Sequence, residues 1–332
     1  MSDAILFVSF GGPDRPEDVM PFLENVTRGR GVPRERLEAV AEHYYHFGGK
    51  SPINEQNLAI IKALSTLLAQ QGPELPIYFG NRNWHPLLPD TLRQMKEDGV
   101  TRAFTFVTSA YSSYSGCRQY RENIAAAQQA TGSESIKIDK LRVYFNHPGF
   151  IAPMIDSVQA AARQLPHARL LFSAHSIPMS MANSSRYVPQ LLEASRLVAE
   201  GAVHSNWELV YQSRSGGPGQ PWLEPDILDR IRALHAEGVR ELIVCPIGFI
   251  SDHMEVLYDL DEEARLLAGE LGMQMIRTPT SSTDPRFIAM IRDLVLEVLA
   301  PSHKILALGA LGPSHKLCPA DCCPAPAARP AR

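Results

Sequence analysis

Short apolar runs alternate with longer amphipathic stretches along most of the chain. The apolar runs predict strands over residues 5–9, 76–80, 101–109, 136–140, 169–173, 207–212, 241–246 and 273–277. The amphipathic stretches predict helices over 15–24, 34–46, 52–71, 88–97, 119–130, 148–165, 188–200, 225–237, 252–271 and 284–299. Strands that alternate with helices in this way predict parallel sheets covered by helices on both faces.

A weak internal repeat indicates that the chain contains two similar halves. Pro89-Asp90 leads a predicted helix that is followed by Gly99, and Pro225-Asp226 leads one that is followed by Gly238. In both places proline opens the helix, aspartate serves its amino terminus and glycine closes it. The repeat therefore favours two α/β domains of related construction.

The predicted domains cover residues 1–146 and 147–300, and a cysteine-containing, partly disordered extension covers 301–332. In open α/β sheets ligands bind at the carboxyl ends of the strands. We therefore expect a cleft between the carboxyl ends of two facing sheets. Loops from both halves, among them 109–117 and 247–255, should converge there.

Composition narrows the classes of protein that remain. The chain has 332 residues, of which 45% are hydrophobic and 20% charged, as in soluble globular proteins. Its net charge of −4 argues against general nucleic-acid binding. No apolar run reaches the roughly 18 residues that a membrane span needs. The first residues lack the basic region and cleavage site of a signal peptide, so we expect a cytoplasmic protein.

An acidic stripe follows the seventh predicted strand. Glu255, Asp259 and Glu263 recur every four residues and so share one face of the predicted helix. Such a stripe is often only a solvated surface. The alternative is a row of oxygen ligands that passes a hydrated divalent cation into the cleft. Asp252, just before the helix, is a candidate N-cap.

His175 follows the fifth predicted strand and precedes a proline-bounded turn. Its ordinary pKa lies near neutrality, which suits a group that accepts a proton or contacts a metal ion. Loops at strand ends often carry catalytic groups. A hydrogen-bonded polar residue without a catalytic role is the other interpretation.

A segment rich in aromatic and hydroxyl groups follows the third predicted strand and contains Tyr114 and Tyr120. It could form one wall of a pocket for a flat aromatic ligand, or it could be an ordinary turn. Arg28, Arg30 and Ser51 could bind carboxylates on the edge of such a ligand. The two arginines could equally be surface residues.

Three cysteines lie close together near the end of the chain. Cys318, Cys322 and Cys323 have the spacing C-x₃-C-C. Because disulfides are disfavoured in the cytoplasm, a metal ion or an iron–sulfur cluster is the better interpretation. A cluster needs a fourth ligand, and Cys117 in a loop suits that role better than Cys245 in a predicted core strand.

Several of these segments resemble the ferrochelatase family, which inserts iron into porphyrins, and the resemblance extends over residues 1–299. The matching stretches are Ser9-Phe10-Gly11-Gly12-Pro13, Phe47-Gly48-Gly49-Lys50-Ser51-Pro52, Phe172-Ser173-Ala174-His175-Ser176-Ile177-Pro178, Gln212-Ser213, Pro221-Trp222-Leu223 and Ser251-Asp252-His253-Met254-Glu255-Val256-Leu257-Tyr258-Asp259. The resemblance implies two Rossmann-like, chelatase-type domains with four-stranded parallel sheets. It also implies that His175 and Glu255 are the catalytic residues and lie on opposite sides of the porphyrin. With Asp259 and Glu263, they would contact the arriving metal.

The chain is most similar to the Gram-positive bacterial branch of that family, whose substrate is coproporphyrin III. Its tail is similar to that of members with a [2Fe–2S] cluster, which implies Cys117, Cys318, Cys322 and Cys323 as ligands. Phe10 is implied as a substrate-binding residue. It stands where this branch often has a tyrosine that can ligate iron, so no phenolate ligand is expected there.

The resemblance implies a lyase of haem biosynthesis that takes ferrous iron as substrate and releases two protons as iron coproporphyrin forms. It leaves open transient contact with neighbouring enzymes of the haem pathway. Four alternatives remain. They are a protoporphyrin IX ferrochelatase, a chelatase that gives cobalt or nickel to another tetrapyrrole, a non-catalytic porphyrin or haem carrier, and a redox sensor built on the cysteine cluster.

Overall fold

Two parallel sheets of four strands each form the centre of the protein. The structure is a computed structural model that describes residues 2–29, 31–216, 219–300, 302–316, 318–319 and 321–325. The strands are β1 Ser2–Ser9, β2 Ile77–Asn81, β3 Val100–Val107, β4 Lys137–Lys140, β5 Arg169–His175, β6 Trp207–Gln212, β7 Glu241–Cys245 and β8 Gln274–Arg277. The strand orders β2-β1-β3-β4 and β6-β5-β7-β8 are equivalent, so the repeat seen in the sequence extends to the topology. The predicted α/β fold with two four-stranded parallel sheets is confirmed.

Helices connect the strands and cover both faces of each sheet. They are α1 Val19–Val26, α2 Arg34–His46, α3 Ile53–Gln71, α4 Leu88–Glu97, α5 Gln119–Thr131, α6 Pro148–Gln164, α7 Met179–Asn183, α8 Tyr187–Gly201, α9 Ile227–Ala236, α10 Met254–Val256, α11 Arg265–Glu270 and α12 Pro285–Leu299. Two π-helices, Tyr114–Arg118 and Leu257–Ala264, adjoin α5 and connect α10 to α11. The long helix predicted over 252–271 is therefore interrupted, and the short α7 was not predicted. Among the described helices, none has both the length and the hydropathy that crossing a bilayer requires.

One hydrophobic core joins the two halves. It contains Phe7 and Phe106 of the first sheet, Phe172 of the second, and Phe150 and Phe287 of α6 and α12. The outer face of each sheet packs separately against its own helices. Strands of parallel sheets are buried on both faces, which explains their nearly continuous apolar sequences. Because the two sheets share this core, neither half buries its apolar surface alone. The domain boundaries predicted at residues 146 and 300 are not tested by this packing and stay a prediction.

The segment 302–316, which we name the C-terminal strap, has no helix or strand but is held by buried polar groups. Arg142 donates hydrogen bonds to Glu297 and to the Leu306 carbonyl, at 2.7 and 2.8 Å. Asn146 Nδ2 donates to the Leu308 and Gly312 carbonyls, each at 2.8 Å. These bonds supply partners that an irregular backbone otherwise lacks. The sequence predicts that the C-terminal extension is partly disordered. Its last residues, 326–332, lie outside the described residues, so the prediction is not tested there.

We predict that Arg142→Ala lowers the free energy of unfolding by about 3–5 kcal/mol, because it leaves the Glu297 carboxylate buried without a partner. Both side chains of the pair are only 1% exposed. Urea denaturation followed by circular dichroism measures the loss. The control is Arg286→Ala, which removes partly exposed pairs with Asp156 and Asp284 and should cost less than about 1 kcal/mol. Equal losses in the two variants would contradict the role assigned to the buried pair.

Candidate active site

The two residues expected to be catalytic come from neighbouring strands of one sheet. His175 is the last residue of β5, and Glu255 lies in α10, after the loop that follows β7. The strands β5 and β7 pair in parallel, with Phe172 opposite Cys245. Their carboxyl ends therefore meet at the same edge of the second sheet, where open α/β proteins bind ligands.

Gly248 allows the loop after β7 to cross the end of β5. Its N–H donates to the Ser173 carbonyl at 3.0 Å. A Cβ atom at this position would lie 2.8 Å from the Cα atom of Ala174, which is closer than side chains approach backbone. Only glycine fits this approach without a shift of the backbone. The loop is thereby held against the residue that precedes His175.

His175 and Glu255 contact each other directly. Nε2 of His175 lies 3.5 Å from Oε1 of Glu255, and Nδ1 lies 2.5 Å from the Ser176 carbonyl oxygen. A carbonyl oxygen can only accept, so Nδ1 carries a hydrogen, and a proton on Nε2 would face the carboxylate. Tyr187 donates from its hydroxyl to the His175 carbonyl at 2.9 Å and so helps to hold the strand end. The side chains of His175 and Glu255 keep 32% and 45% of their surface exposed, which leaves both within reach of a ligand.

The pair is ionised at neutral pH. Burial alone would lower the pKa of His175, but the charge and hydrogen bond of Glu255, the Ser176 carbonyl and the Asp259 carboxylate outweigh it and raise the pKa to about 9. Burial likewise opposes the charged form of Glu255, yet the neighbouring imidazolium holds the pKa of this carboxyl at about 2. The resting site therefore contains an imidazolium and a carboxylate.

The expectation that His175 and Glu255 flank a porphyrin from opposite sides does not fit the direct contact of the two side chains, and it stays a prediction about the complex. A flat ring between two side chains needs roughly 7 Å between their atoms, because each face needs a contact distance of about 3.5 Å. The observed separation is 3.5 Å in total. The reason lies in the topology, since β5 and β7 are neighbours in one sheet. Both groups therefore belong to the same wall of the cleft.

Asp259 and Glu263 continue from Glu255 along the second π-helix, as the spacing predicts. Asp259 Oδ2 accepts hydrogen bonds from Ser213 Oγ and from Gln212 Nε2, the latter at 3.3 Å. Burial raises the pKa of Asp259, the bonds from Ser213 and Gln212 lower it, and the charges of Glu255 and Glu263 raise it again, to about 7. Burial also raises the pKa of Glu263. The row thus contains a carboxyl that exchanges protons near neutral pH.

A cavity of about 590 Å³ lies between α2 and the second π-helix, and Glu263 is one of its lining residues. His43 stacks on Tyr258 with ring centres 3.7 Å apart, and His46 Nε2 lies 3.5 Å from Glu262 Oε1. These contacts lay α2, from the first half, alongside the acidic row of the second. The outer end of the row therefore opens into a cavity that both halves build.

The predicted porphyrin contacts in the first half have different outcomes. Phe10 follows β1, is 38% exposed and lies edge-on to Phe22, so it remains available to a ligand. Arg28 is exposed just beyond α1. Arg30 lies outside the described residues. Its binding role stays a prediction, as does that of Arg28.

Two further predicted contacts are buried in structural roles. The Ser51 hydroxyl accepts a weak hydrogen bond from the Ile53 N–H, at 3.4 Å, in the turn that starts α3. Tyr120 is buried on α5 beneath the Arg82 guanidinium, whose carbon lies 4.5 Å from the ring centre. Tyr114 is only partly buried and donates to Glu122 at 2.9 Å. Tyr114 is the least buried of the three residues, and the binding roles of all three stay predictions.

The four predicted cluster cysteines come together. The thiols of Cys117 and Cys318 are close enough to shift each other's pKa, and Cys322 and Cys323 have sulfur atoms 3.6 Å apart. The Cys117 thiol and the nearby positive charge of Lys140 lower the pKa of Cys318 to about 4, although burial opposes this. Sequence reasoning missed a fifth donor, His315, whose Nε2 lies 3.6 Å from Cys322 Sγ. Its position three residues before Cys318 was the available signal.

Sequence reasoning also missed His253. Its Nδ1 accepts a hydrogen bond from the Glu255 N–H at 3.3 Å and so caps α10, the role that the sequence suggested for Asp252. Asp252 instead pairs with Arg277 at 3.1 Å. Burial lowers the pKa of His253, so it is neutral beside the charged pair. His253 lies inside the stretch 251–259 that resembles the ferrochelatase family, and that position could have identified it as a candidate site residue.

Comparison with known proteins gives consistent matches. The family model described as Ferrochelatase matches residues 2–299. A coproporphyrin III ferrochelatase of Streptomyces griseus is 54% identical over 99% of this chain and 95% of that protein, and one of Nocardia farcinica is 49% identical over 99% and 98%. A ferrochelatase of Rhodopirellula baltica is 55% identical over 97% and 93%. The sirohydrochlorin chelatase SirB from Bacillus subtilis has a TM-score of 0.51 at 14% identity, over 90% of this chain and 95% of that chain, and shows a shared fold.

We predict that Glu255→Gln lowers the pKa of His175 well below about 9, because burial is then opposed only by the Ser176 carbonyl and the Asp259 carboxylate. Titration of the imidazole Cε1–H signal by NMR measures this, with His175→Gln used to assign the signal. Glu262→Gln, which removes the partner of His46 instead, is the control and should leave the His175 titration in place. An unchanged His175 pKa in Glu255→Gln would show that the two groups do not form an ion pair.

Proposed function

The chain belongs to the ferrochelatase family, and from that premise we propose that it inserts ferrous iron into coproporphyrin III, giving iron coproporphyrin and two protons on the route to haem. It is a porphyrin metal chelatase, and such enzymes are classed as lyases. The observation that carries the mechanism is the ionised His175–Glu255 pair at the carboxyl edge of the second sheet. The chain matches coproporphyrin III ferrochelatases over nearly the full length of both proteins, which supports coproporphyrin III as the substrate.

Metal insertion has two physical requirements. The two pyrrole N–H protons must leave, and the flat macrocycle must bend so that its nitrogen lone pairs point at the metal. A site that binds the bent ring better than the flat one lowers the barrier. We propose that the His175 wall faces one side of the ring and that the wall containing Phe10 faces the other.

Glu255 is our candidate for the first proton acceptor. His175 already carries its proton in the resting pair, so it cannot take another until it has lost that one. A pyrrole N–H proton moves to the Glu255 carboxylate while the nitrogen keeps the bonding electron pair and donates it to Fe²⁺. His175 then stabilises the changing charge and orients the carboxylate. The low pKa of Glu255 makes it a weak base, so proton loss must be assisted by the arriving cation.

We propose that Asp259 and Glu263 pass protons outward and ferrous iron inward. Carboxylate oxygens suit a hydrated divalent cation, and the row ends at the cavity beside Glu262 and His46. One Fe²⁺ enters for two protons that leave, so the exchange preserves the charge of the buried row. Keeping the charge constant avoids the cost of leaving several carboxylates unpaired inside the protein.

We also propose that the cysteine group holds a [2Fe–2S] cluster. Thiolates are the usual ligands of such clusters, and the lowered pKa of Cys318 favours the thiolate form. The group includes Cys117, Cys318 and Cys322, with Cys323 beside Cys322. A bound cluster would supply one-electron redox chemistry, whereas metal insertion transfers no electrons. We therefore assign it a structural or redox-sensing role.

A cytoplasmic location is part of the proposal. The five cysteines all lie within the described residues and form no disulfide there, which fits a reducing compartment. Transient contact with enzymes that make coproporphyrin or use iron coproporphyrin is a further expectation, because both compounds must pass between enzymes.

Anaerobic visible spectroscopy tests the proposed function. Purified protein is mixed with Fe²⁺ and either coproporphyrin III or protoporphyrin IX, and loss of the free-base bands is followed. We expect rapid loss with coproporphyrin and slow loss with protoporphyrin, and a rate about 10²–10⁴-fold lower in His175→Ala. The reverse preference would overturn the substrate. A bound-porphyrin spectrum with no turnover would indicate a carrier instead.

The raised pKa of Asp259 predicts a pH dependence. Below about pH 7 this carboxyl is protonated and can neither accept a proton nor hold Fe²⁺, so kcat/KM should rise as pH increases through 7. Asp259→Asn should lower kcat/KM and remove that rise. Glu270→Gln, an exposed carboxylate on α11, is the control and should keep the profile. If Asp259→Asn keeps the rise, another group is responsible.

A further inference from the structure

Arg277 binds both ends of the segment that carries Glu255 and Asp259. It is the last residue of β8, and its Nη1 donates to Asp252 Oδ1 at 3.1 Å while its Nε donates to Asp261 Oδ1 at 2.9 Å. Asp252 lies three residues before Glu255, and Asp261 lies two residues after Asp259. One guanidinium group on a sheet strand therefore brackets the two carboxylates. We name this arrangement of Arg277, Asp252 and Asp261 the arginine clamp.

The arginine clamp is largely shielded from water and has a rigid base. The side chains of Arg277, Asp252 and Asp261 are 12%, 20% and 19% exposed. Asp261 receives a second hydrogen bond, from Nη2 of Arg277 to Oδ2 at 2.5 Å, so the pair has the two-pronged geometry that is strong and directional. Lysine cannot reproduce that geometry. The base is rigid because Arg277 lies opposite Val244 in the pairing of β8 with β7.

Asp261 binds the clamp from the side of the second π-helix that faces away from the acidic row. Asp259 and Glu263 are four residues apart and share one face of the helix, whereas Asp261 lies two residues from each of them. Neighbouring carboxylates on one face repel each other and so weaken the helix that carries them. Arg277 opposes this effect from behind and leaves the carboxylates of the row free to exchange protons and cations.

The start of the same segment is also tied to the first half of the protein. The Asp252 N–H donates to Gln56 Oε1 of α3 at 2.7 Å. The side chain of Asp252 is meanwhile held by Arg277 and by the Thr280 hydroxyl, the latter at 3.3 Å. Asp252 is therefore fixed to both halves at once. This matters for a reaction in which one half binds a face of the ring and the other half supplies the carboxylates.

We propose that Arg277 is a positioning residue for metal insertion, which fixes Glu255 and Asp259 without touching the substrate. The inference rests on the proposed function. Proton transfer and metal delivery both require closely defined positions, and a displacement of about 1 Å can lower a rate about 10²-fold. Residues that orient metal-binding side chains typically contribute about 10–100-fold to activity. The expected effect of losing the clamp lies in that range.

The chain offers a matched control in Arg265. Its Nη2 also pairs with Asp261, at 3.3 Å, but it lies on the same helical segment and its side chain is 59% exposed. Such an exposed pair, four residues apart on one helix, contributes little. Removing Arg265 therefore takes one arginine from Asp261 and leaves the clamp to β8 intact.

The test compares Arg277→Gln, Arg277→Lys and Arg265→Gln with the natural chain. Initial rates of Fe²⁺ insertion into coproporphyrin III give kcat and KM, and mass spectrometry follows amide hydrogen exchange in the substrate-free proteins. We expect Arg277→Gln to lower kcat about 10–100-fold with little change in the KM for coproporphyrin III. Exchange should become faster within residues 252–264 and not elsewhere. Arg277→Lys should recover part of kcat, and Arg265→Gln should match the natural chain.

Two results would overturn the inference. One is natural kcat and natural exchange in Arg277→Gln. The other is faster exchange throughout that variant with an unchanged kcat per folded molecule, which would show that Arg277 only supports folding. If Arg277→Gln does not fold, Asp261→Asn replaces it, since this variant weakens one arm of the clamp, and a natural kcat there would likewise contradict the proposal. A natural chain that inserts no iron would refute the proposed function, whereas hydrogen exchange would still show whether the clamp exists.

Discussion

The direct contact between His175 and Glu255 is the interaction on which the rest of the site depends. It exists because β5 and β7 are neighbours in a parallel sheet and because Gly248 lets one loop cross the other strand end. Each group shifts the pKa of the other, since the carboxylate of Glu255 raises the pKa of His175 and the imidazolium lowers the pKa of Glu255. The same adjacency places both groups on one wall. In the proposed function a porphyrin therefore meets the charged pair with one face only, and the other face contacts the walls built by the first half.

Charge balance connects this pair to the surface. Buried carboxylates are costly unless cations or protons accompany them. Asp259 relieves this cost by titrating near neutral pH, and Glu263 leads on to a cavity that α2 partly covers. The π-helix that carries both residues is an irregular element of a kind common at functional sites. The shared core and the C-terminal strap hold the two halves together and so keep α2 beside the acidic row.

Much of the fold followed from local patterns. Apolar runs and amphipathic stretches located all eight strands, and the four-residue spacing from Glu255 to Glu263 located the acidic row. The remainder depended on contacts between distant segments. Ser51 and Tyr120 are residue types that suit a binding pocket, yet packing buries them. His315 lies 3.6 Å from the Cys322 sulfur, and its position three residues before Cys318 was only a weak indication of that contact. The π-helices escaped prediction because their sequences also fit α-helical periodicity.

The most direct test of this account is a crystal structure of the protein with N-methyl coproporphyrin, a bent porphyrin that does not take up metal readily. The account predicts His175 and Glu255 on the same face of the macrocycle, still within contact distance of each other, with the residues around Phe10 on the opposite face. A ring lying between His175 and Glu255 would contradict it. In that case the ion pair would belong only to the empty protein, and the two residues would act from opposite sides.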